Sequence, residues 1–225
     1  MSSRRSRRSV SYREATRHDT AAFMALIQHA DPDAPSPFHS ARLILGLPPQ
    51  PPMSHHLDLC LVAEDHRGKL VGALLAGPPP WLIEHPGVRG SRLIPKLARR
   101  LTMIQGVAVD PQYRRRGIGR ALIHHAEQRY QEHGWGLSTL IHDPSLKSFY
   151  RKLGYVSHPA LLMQLPGTYP LVGQDFLNRL TALKPLSGDV TLADVPFAPA
   201  PVISGILPGS SVPDHAWFDG AALRY

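Results

Sequence analysis

The stretch that most constrains the fold runs from Val107 to Tyr130 and reads VAVDPQYRRRGIGRALIHHAEQRY. Its first three residues are β-favouring or small and predict the end of a strand. Asp110 and Pro111 end that strand, because proline cannot donate a ladder hydrogen bond. After the basic loop 114–119, apolar residues recur at helical spacing. The sequence therefore predicts a strand, a basic loop and a helix N-terminus, in that order.

This order favours an anion at the loop. The first turn of a helix has unpaired N–H groups and the positive end of the macrodipole, where phosphate groups bind. Gly117 and Gly119 remove side chains that would keep a phosphate away from the backbone, and the arginines supply charge-assisted hydrogen bonds. We predict a bound pyrophosphate, with the rest of its molecule running back along the strand. The alternative is a simple strand–helix connection with solvated arginines.

Two motifs resemble those of the GNAT N-acetyltransferases. Arg114-x-x-Gly117-x-Gly119 after a strand is similar to the acyl-CoA-binding motif of that family. The segment 143–155, DPSLKSFYRKLGY, is similar to the second motif, a helix that ends in a phrase like FYxKxGF. The resemblance is carried by residues 101–165, extends back to Val10 and does not cover the C-terminal part of the chain.

The resemblance implies an α/β (α+β) fold. In the GNAT fold a mixed, mostly antiparallel central sheet is splayed between its two middle strands and flanked by helices. We expect residues 1–9 to be a disordered basic tail, 10–166 to be the acyltransferase domain, and 167–225 to be an extension that packs on this domain or on a partner subunit. Apolar spacing in the extension predicts a helix from Gly173 to Leu183, and residues 155–164 predict a hairpin through Pro159.

The resemblance also implies which residues bind acetyl-CoA or another acyl-CoA. The backbone of Val107, Ala108 and Val109 would contact the pantetheine, and a backbone N–H near Val107 would polarise the thioester carbonyl. The residues implied at the pyrophosphate are Arg114, Arg115, Arg116, Gly117, Ile118, Gly119 and Arg120.

The resemblance indicates the catalytic groups less completely than the residues that bind acyl-CoA. Tyr150 falls where the family often has a tyrosine that protonates the departing thiolate, and packing beside Phe149 is the alternative role. The motifs do not identify the general base. Met103 stands where histone-type members of the family have a glutamate, and a methionine cannot accept a proton. Asp143, His142 and ordered water are the candidates, although Asp143 also suits an N-cap.

Three functions fit these motifs and the formal net charge of +8. The first is an N-acyltransferase that moves an acetyl or other acyl group from acyl-CoA to a small-molecule amine by direct attack in a ternary complex. The second keeps the fold but takes an acyl carrier protein or aminoacyl-tRNA as donor, with basic residues on phosphates. The third is a non-catalytic, CoA-binding regulatory module.

The composition also indicates the cellular location of the protein and its possible partners. No stretch of 18 apolar residues predicts a membrane span, and the basic N-terminus lacks the apolar core of a secretory signal. The single cysteine, Cys60, reads as a buried structural residue and permits a reducing cytoplasm. No spacing is typical of zinc ligands, so we predict no metal site. A homodimer remains a possible assembly through the extension.

Overall fold

A computed structural model of the chain describes residues 9–30, 39–167, 170–172 and 176–225. The expected basic tail 1–9 therefore lies outside the described residues, except for Ser9. The chain divides into two compact units. The first unit comprises residues 1–76 and 105–126, and the second comprises residues 77–104 and 127–225.

The secondary structure alternates short strands with short helices. The strands are β1 (Ser11–Glu14), β2 (Leu59–Glu64), β3 (Leu70–Gly77), β4 (Leu101–Val109), β5 (Leu137–His142), β6 (Val156–His158), β7 (Leu162–Met163), β8 (Leu171–Val172), β9 (Leu180–Pro185), β10 (Thr191–Ala193), β11 (Val202–Ser204), β12 (Trp217–Phe218) and β13 (Leu223–Arg224). The α-helices are α1 (Thr20–Ile27), α2 (His39–Gly46), α3 (Pro80–Glu84), α4 (Ile94–Ala98), α5 (Ile118–Glu132) and α6 (Lys147–Arg151). None of the helices in the described ranges is long and apolar enough to cross a membrane.

The first unit is built on a sheet in the order β1-β2-β3-β4. β1 and β3 both pair antiparallel to β2. The Asp110 N–H, just after β4, donates to the Val71 carbonyl at the start of β3 (3.0 Å). A turn with Gly68 at φ 80° connects β2 and β3.

The core of the first unit lies between this sheet and α1 and α2. Phe23 and Ile27 of α1 pack with Leu45 of α2 and with Cys60 and Val62 of β2, and all five are fully buried. β2 and β3 are nearly continuous apolar runs because almost every one of their residues is buried. The predicted structural role of Cys60 is confirmed, since burial also raises the pKa of its thiol.

The second unit holds the other part of the sheet, in the order β4-β5-β9-β6. β4 and β5 pair in parallel from Leu101–Leu137 to Ile104–Leu140, and the register ends there. β4 continues as Gln105–Val109, which belongs to the first unit. The β5–β9 and β9–β6 pairs are antiparallel. The sheet is therefore mixed and mostly antiparallel, as the sequence predicted.

The predicted helix from Gly173 to Leu183 is wrong. Residues 173–175 lie outside the described ranges, but Leu180–Pro185 form strand β9 between β5 and β6. Thr181, Ala182 and Leu183 are all buried. Short apolar runs fit a helix and a doubly buried strand equally well, and the pairing with two neighbouring strands decides the outcome.

The predicted hairpin over 155–164 is also wrong. β6 pairs with β9, whereas β7 pairs in parallel with β11 and antiparallel with β8. The two strands therefore belong to different sheets, the second in the order β10-β11-β7-β8. Pro159 lies between them and cannot donate to a ladder, so the chain leaves the first sheet at this point.

The C-terminal residues contribute to the main core of the second unit. Five of them are buried there beside side chains of β4, β5 and the 161–165 segment. These five are Leu183, Val190, Ile203, Ile206 and Leu207. The boundary of the extension at residue 167 stays a prediction.

The packing of this segment predicts a severe effect at Gly205. The φ of Gly205 is 79°, and a Cβ there would overlap the backbone carbonyl oxygen of Asp189. We expect Gly205→Ala to lower the free energy of unfolding by about 3 kcal/mol or more, from left-handed strain and overpacking together. Urea denaturation measures this change.

A matched control is available in the same segment. Gly209 has a similar φ of 76°, but a Cβ there would meet nothing closer than Pro166 Cβ at 3.9 Å. Gly209→Ala should therefore cost only the conformational strain, about 1–2 kcal/mol. Equal losses in the two variants would contradict the observed contact between Gly205 and Asp189.

Candidate active site

The loop between β4 and α5 is shaped by two left-handed residues. Pro111–Tyr113 form a 3-10 turn that Asp110 caps by accepting the Gln112 N–H (2.9 Å). Arg115 at φ 61° and Gly117 at φ 82° then reverse the backbone before α5 begins. The Ala121 N–H donates to the Gly117 carbonyl (3.0 Å), so the N–H groups of residues 118–120 come before the first N–H that donates within the helix.

Space and positive charge meet at this loop. A Cβ on Gly117 would have no heavy atom within 4 Å, and a Cβ on Gly119 would lie 3.6 Å from Val109 Cγ2. Four arginines around the loop have exposed side chains, and none of them pairs with a carboxylate of the described residues. They are Arg114, Arg115, Arg116 and Arg120. The loop can therefore receive a phosphate group, as its sequence predicts.

The loop is braced by the turn between β2 and β3. The Tyr113 hydroxyl donates to Asp65 Oδ2 (2.7 Å), and this hydrogen bond is the main cause that lowers the pKa of Asp65 to about 2. Lys69 Nζ lies 2.8 Å from Asp110 Oδ2. The Arg116 guanidinium lies over the Tyr113 ring in a cation–π contact, 4.8 Å from the ring centroid. Tyr113 thus fixes one end of the loop and supports one of its cations.

The side chains at the end of β4, the strand that leads into the loop, differ in burial on its two faces. Ala108 is buried, whereas Val107 and Val109 are half-buried on the opposite face. The Val109 carbonyl accepts a hydrogen bond from Arg114 Nε (3.2 Å). These three residues and the loop all lie in the first unit.

Tyr150, in the second unit, stands in an aromatic cluster on α6. Its ring lies 4.9 Å from that of His142, 5.0 Å from that of Phe149 and 6.0 Å from that of Tyr155. The side chain is 7% exposed, and burial raises its pKa to about 12. The hydroxyl has no hydrogen-bond partner in the part of the chain that the structure describes. It therefore stays protonated at neutral pH and free to donate.

Both ring nitrogens of His142 are engaged. Nδ1 lies 2.7 Å from the Asp143 carbonyl oxygen, and Nε2 lies 2.8 Å from Ser157 Oγ. A carbonyl only accepts, so Nδ1 carries a hydrogen, and in the neutral ring Nε2 accepts from the Ser157 hydroxyl. To act as a base, His142 has to give up this buried hydrogen bond.

Asp143 caps the turn before α6. Its Oδ1 accepts the Ser145 N–H (2.8 Å), which confirms the predicted N-cap. Hydrogen bonds from Ser145 lower the pKa of this exposed carboxyl. Met103, the residue at the position of the family's glutamate, is half-buried on β4 opposite Thr139 of β5. Asp143 is thus a weak base, and Met103 provides none.

The structure brings the predicted residues together in two groups. Val107 to Arg120 lie in the first unit, and the second unit holds His142, Asp143 and Tyr150. Sequence reasoning missed Asp65, Lys69 and Tyr113 as supports of the loop. Tyr113 and Asp65 are 48 residues apart, and no local pattern links them. The only available signal was the position of Tyr113 directly before the arginines.

The fold combines a mixed, mostly antiparallel sheet with a basic strand–loop–helix junction. Residues 23–155 match the model of the Acetyltransferase (GNAT) family. Since this match spans more than half of the chain, the protein belongs to that family of acyltransferases. No curated protein matches the sequence.

Solved structures with this fold include three bacterial acetyltransferases. A GNAT family N-acetyltransferase from Escherichia coli in complex with CoA is 21% identical, with a TM-score of 0.55 over 82% of this chain and 85% of that chain. A phosphinothricin acetyltransferase from Sinorhizobium meliloti in complex with AcCoA is 16% identical, with a TM-score of 0.53 over 79% and 89%. The ribosomal-protein-S18-alanine N-acetyltransferase from Escherichia coli is 17% identical, with a TM-score of 0.51 over 80% and 95%. At these identities the likeness establishes the GNAT fold.

Proposed function

We propose that the protein transfers an acetyl or other acyl group from acyl-CoA to an amine of a small molecule, by direct attack in a ternary complex. The observation that carries this proposal is the loop 114–120. It combines unpaired helix N–H groups, four exposed arginines without carboxylate partners, and two glycines that leave room for a ligand. CoA-bound structures of the same fold support acyl-CoA as the donor.

The donor is held by this chain's backbone and charge. The N–H groups of Ile118, Gly119 and Arg120 and the neighbouring guanidinium groups bind the pyrophosphate. The half-buried edge of β4 at Val107 and Val109 takes the pantetheine arm. A backbone N–H near Val107 donates to the thioester carbonyl oxygen and stabilises the charge that develops there.

The reaction needs one bond made and one broken. The amine nitrogen attacks the thioester carbonyl carbon, and the C–S bond breaks as the tetrahedral intermediate collapses. The amine loses one proton, and the sulfur leaves as a thiolate that gains one. The net reaction therefore moves a proton from nitrogen to sulfur, through the protein or through water.

Tyr150 is the group we assign to the departing sulfur. Burial keeps its hydroxyl protonated, with a pKa of about 12, against about 8.5 for an ordinary thiol. Complete transfer of this proton to the thiolate would be uphill by several kcal/mol. Tyr150 therefore donates a hydrogen bond to the developing thiolate, and water completes the protonation.

We assign the amine proton to water. The Nε2 lone pair of His142 is occupied by Ser157, and Asp143 is a capped carboxylate with a lowered pKa. His142 instead packs its ring against Tyr150 and helps to position that ring. Asp143 positions the N-terminus of the second motif's helix.

An acceptor screen tests the proposed function. The full chain is incubated with acetyl-CoA and a panel of small amines, and release of free thiol is measured. We expect at least one amine to give acceptor-dependent turnover. CoA binding without turnover on any amine would favour the non-catalytic module, and salt-sensitive RNA binding with no CoA affinity would favour a tRNA-dependent transferase.

The brace at Tyr113 makes a prediction about donor affinity. Tyr113→Phe keeps the ring under Arg116 but removes the hydrogen bond to Asp65. We expect the Kd for CoA to rise about fivefold, because a charge-assisted hydrogen bond that fixes the loop is lost. Because the reacting groups are untouched, kcat should stay constant. Calorimetry with CoA and steady-state kinetics measure the two effects.

Tyr12→Phe is the matched control. Tyr12 also lies in the first unit, where it is half-buried with its ring against His125 of α5. Tyr12→Phe should leave the Kd for CoA unchanged. If Tyr113→Phe and Tyr12→Phe behave alike, the brace has no role in donor binding.

A further inference from the structure

A basic surface lies in the second unit, on the connection between β3 and β4. Four cations of this connection have exposed side chains: Arg89, Arg92, Lys96 and Arg99. No aspartate or glutamate occurs from residue 85 to residue 109. A solvated helix face usually alternates the two signs of charge, and this one does not. We call these four residues the basic surface.

The connection is held in place by its apolar side chains. The backbone from Leu93 through α4 to Arg99 is right-handed helical, and the Leu97 N–H donates to the Leu93 carbonyl (2.8 Å). Val88 and Leu97 are buried in the main core of the second unit, and Leu93 and Ile94 pack against that core. Because the apolar face is held there, the cations are presented on the outer face.

The neighbouring Arg100 shows how this chain neutralises an arginine with a structural role. Its guanidinium donates to the Ile206 carbonyl (3.1 Å), the Gly134 carbonyl (2.7 Å) and Asp189 Oδ2 (2.6 Å). None of the four cations of the basic surface pairs with a carboxylate of the described residues. The contacts of the folded chain therefore account for Arg100 and not for these four.

The spacing of the cations places like charges side by side. Lys96 follows Arg92 by four residues and precedes Arg99 by three, and residues at these spacings are neighbours on one helix face. Like charges in this arrangement destabilise a helix. An anionic partner that binds the face removes this repulsion, so the basic surface is suited to a partner with several negative charges.

The composition of the surface distinguishes a polyanion from a protein partner. Protein interfaces are centred on apolar and aromatic side chains that become buried. Among the described residues, none of the exposed large apolar side chains lies between residues 85 and 100. From Arg92 to Arg99 the helical backbone advances about 10 Å, the length over which one nucleic-acid strand places about three phosphates. The surface therefore fits a row of phosphates.

We propose that the basic surface binds the phosphate backbone of a nucleic acid. The guanidinium groups of Arg89, Arg92 and Arg99 donate paired hydrogen bonds to phosphate oxygens, and Lys96 adds a point charge. Contacts of this kind carry no sequence information, so binding is independent of base sequence and is similar for RNA and DNA. This function goes beyond acyl transfer and does not depend on it.

The salt dependence of binding tests the proposal. The full chain is titrated into a labelled single-stranded RNA of about 20 nucleotides, and anisotropy is followed from about 50 to about 200 mM salt. CoA is kept at saturation, so that the loop 114–120 is occupied. Four phosphate contacts on a single strand give a slope of log K against log salt concentration of about −3 or steeper. No binding at the lowest salt concentration, or binding that does not respond to salt, would overturn the proposal.

A fourfold glutamine variant locates the binding. Arg89→Gln, Arg92→Gln, Lys96→Gln and Arg99→Gln together remove the charge of the basic surface and change only exposed side chains. We expect the Kd for the RNA to rise at least about tenfold at about 50 mM salt, and the slope to become shallower by about 3. CoA affinity should stay unchanged, which also shows that the variant is folded.

A second fourfold variant is the matched control. It replaces by glutamine four exposed cations that have no ion pair with the described residues, so both variants lose the same net charge. These four are Arg17, Arg42, Arg67 and Lys152. The control should keep most of the RNA affinity and of the salt slope. Equal losses in the two variants would show that only net charge matters and would overturn the proposal.

Competition separates a nucleic acid from an acidic protein. Unlabelled single-stranded DNA should displace the RNA about as well as unlabelled RNA does, whereas poly-glutamate of equal length should need a concentration at least about tenfold higher. Displacement by poly-glutamate at the same concentration would assign the surface to an acidic protein and overturn the proposal. Because CoA affinity and amine turnover are measured separately, failure of these tests leaves the acyl-transfer proposal intact.

Discussion

Gly119→Glu should abolish CoA binding while the protein stays folded. The new carboxylate would stand in the first turn of α5, where the N–H groups and arginines are proposed to hold the pyrophosphate. Repulsion between a carboxylate and a phosphate a few ångströms apart is worth a few kcal/mol at a protein surface. We therefore expect the Kd for CoA to rise about 100-fold or more, as measured by calorimetry.

A substitution at Gly119 tests the effect of the new charge with less backbone strain than a substitution at Gly117. A Cβ at Gly119 meets Val109 Cγ2 at an ordinary 3.6 Å, whereas Gly117 has a φ of 82° that strains any L side chain. Gly119→Ala should therefore bind CoA nearly as well as the natural protein, and Gly119→Gln should lose affinity only about tenfold. Unchanged CoA affinity in folded Gly119→Glu would remove the basis of the proposed function.

The loop was predictable because its signals are local. A strand end, a proline stop, two glycines and a helix start stand within Val107–Tyr130, and each depends on its immediate neighbours. The apolar strands β2 and β3 and their turn were predictable for the same reason. The cap at Asp143 follows a pattern of a few residues as well.

The rest depends on contacts between distant segments. The apolar run at Leu180–Leu183 becomes a strand because β5 and β6 both pair with it. β7 pairs with β11, about 40 residues further on, so the predicted hairpin with β6 does not form. The hydrogen bond between Tyr113 and Asp65 likewise joins two segments that share no periodicity.

Tyr150→Phe should lower kcat about 100-fold with little change in CoA affinity. The substitution keeps the ring, and with it the contacts to His142, Phe149 and Tyr155, but it removes the hydroxyl proposed to stabilise the departing thiolate. Loss of one such donor typically costs about 10²–10³ in kcat. Single-turnover release of thiol from acetyl-CoA, with the best amine of the screen, measures the chemical step directly.

Tyr155→Phe distinguishes this chemistry from packing. Tyr155 belongs to the same aromatic cluster, but its hydroxyl is hydrogen-bonded to Ser138 Oγ (2.8 Å) and its side chain is 2% exposed. This variant should lose about 1 kcal/mol of stability and keep its kcat. Because the pKa of Tyr150 is about 12, the single-turnover rate of the natural protein should also show no loss from tyrosine ionisation up to about pH 10. Equal rates in Tyr150→Phe and the natural protein would show that the Tyr150 ring only packs in the cluster.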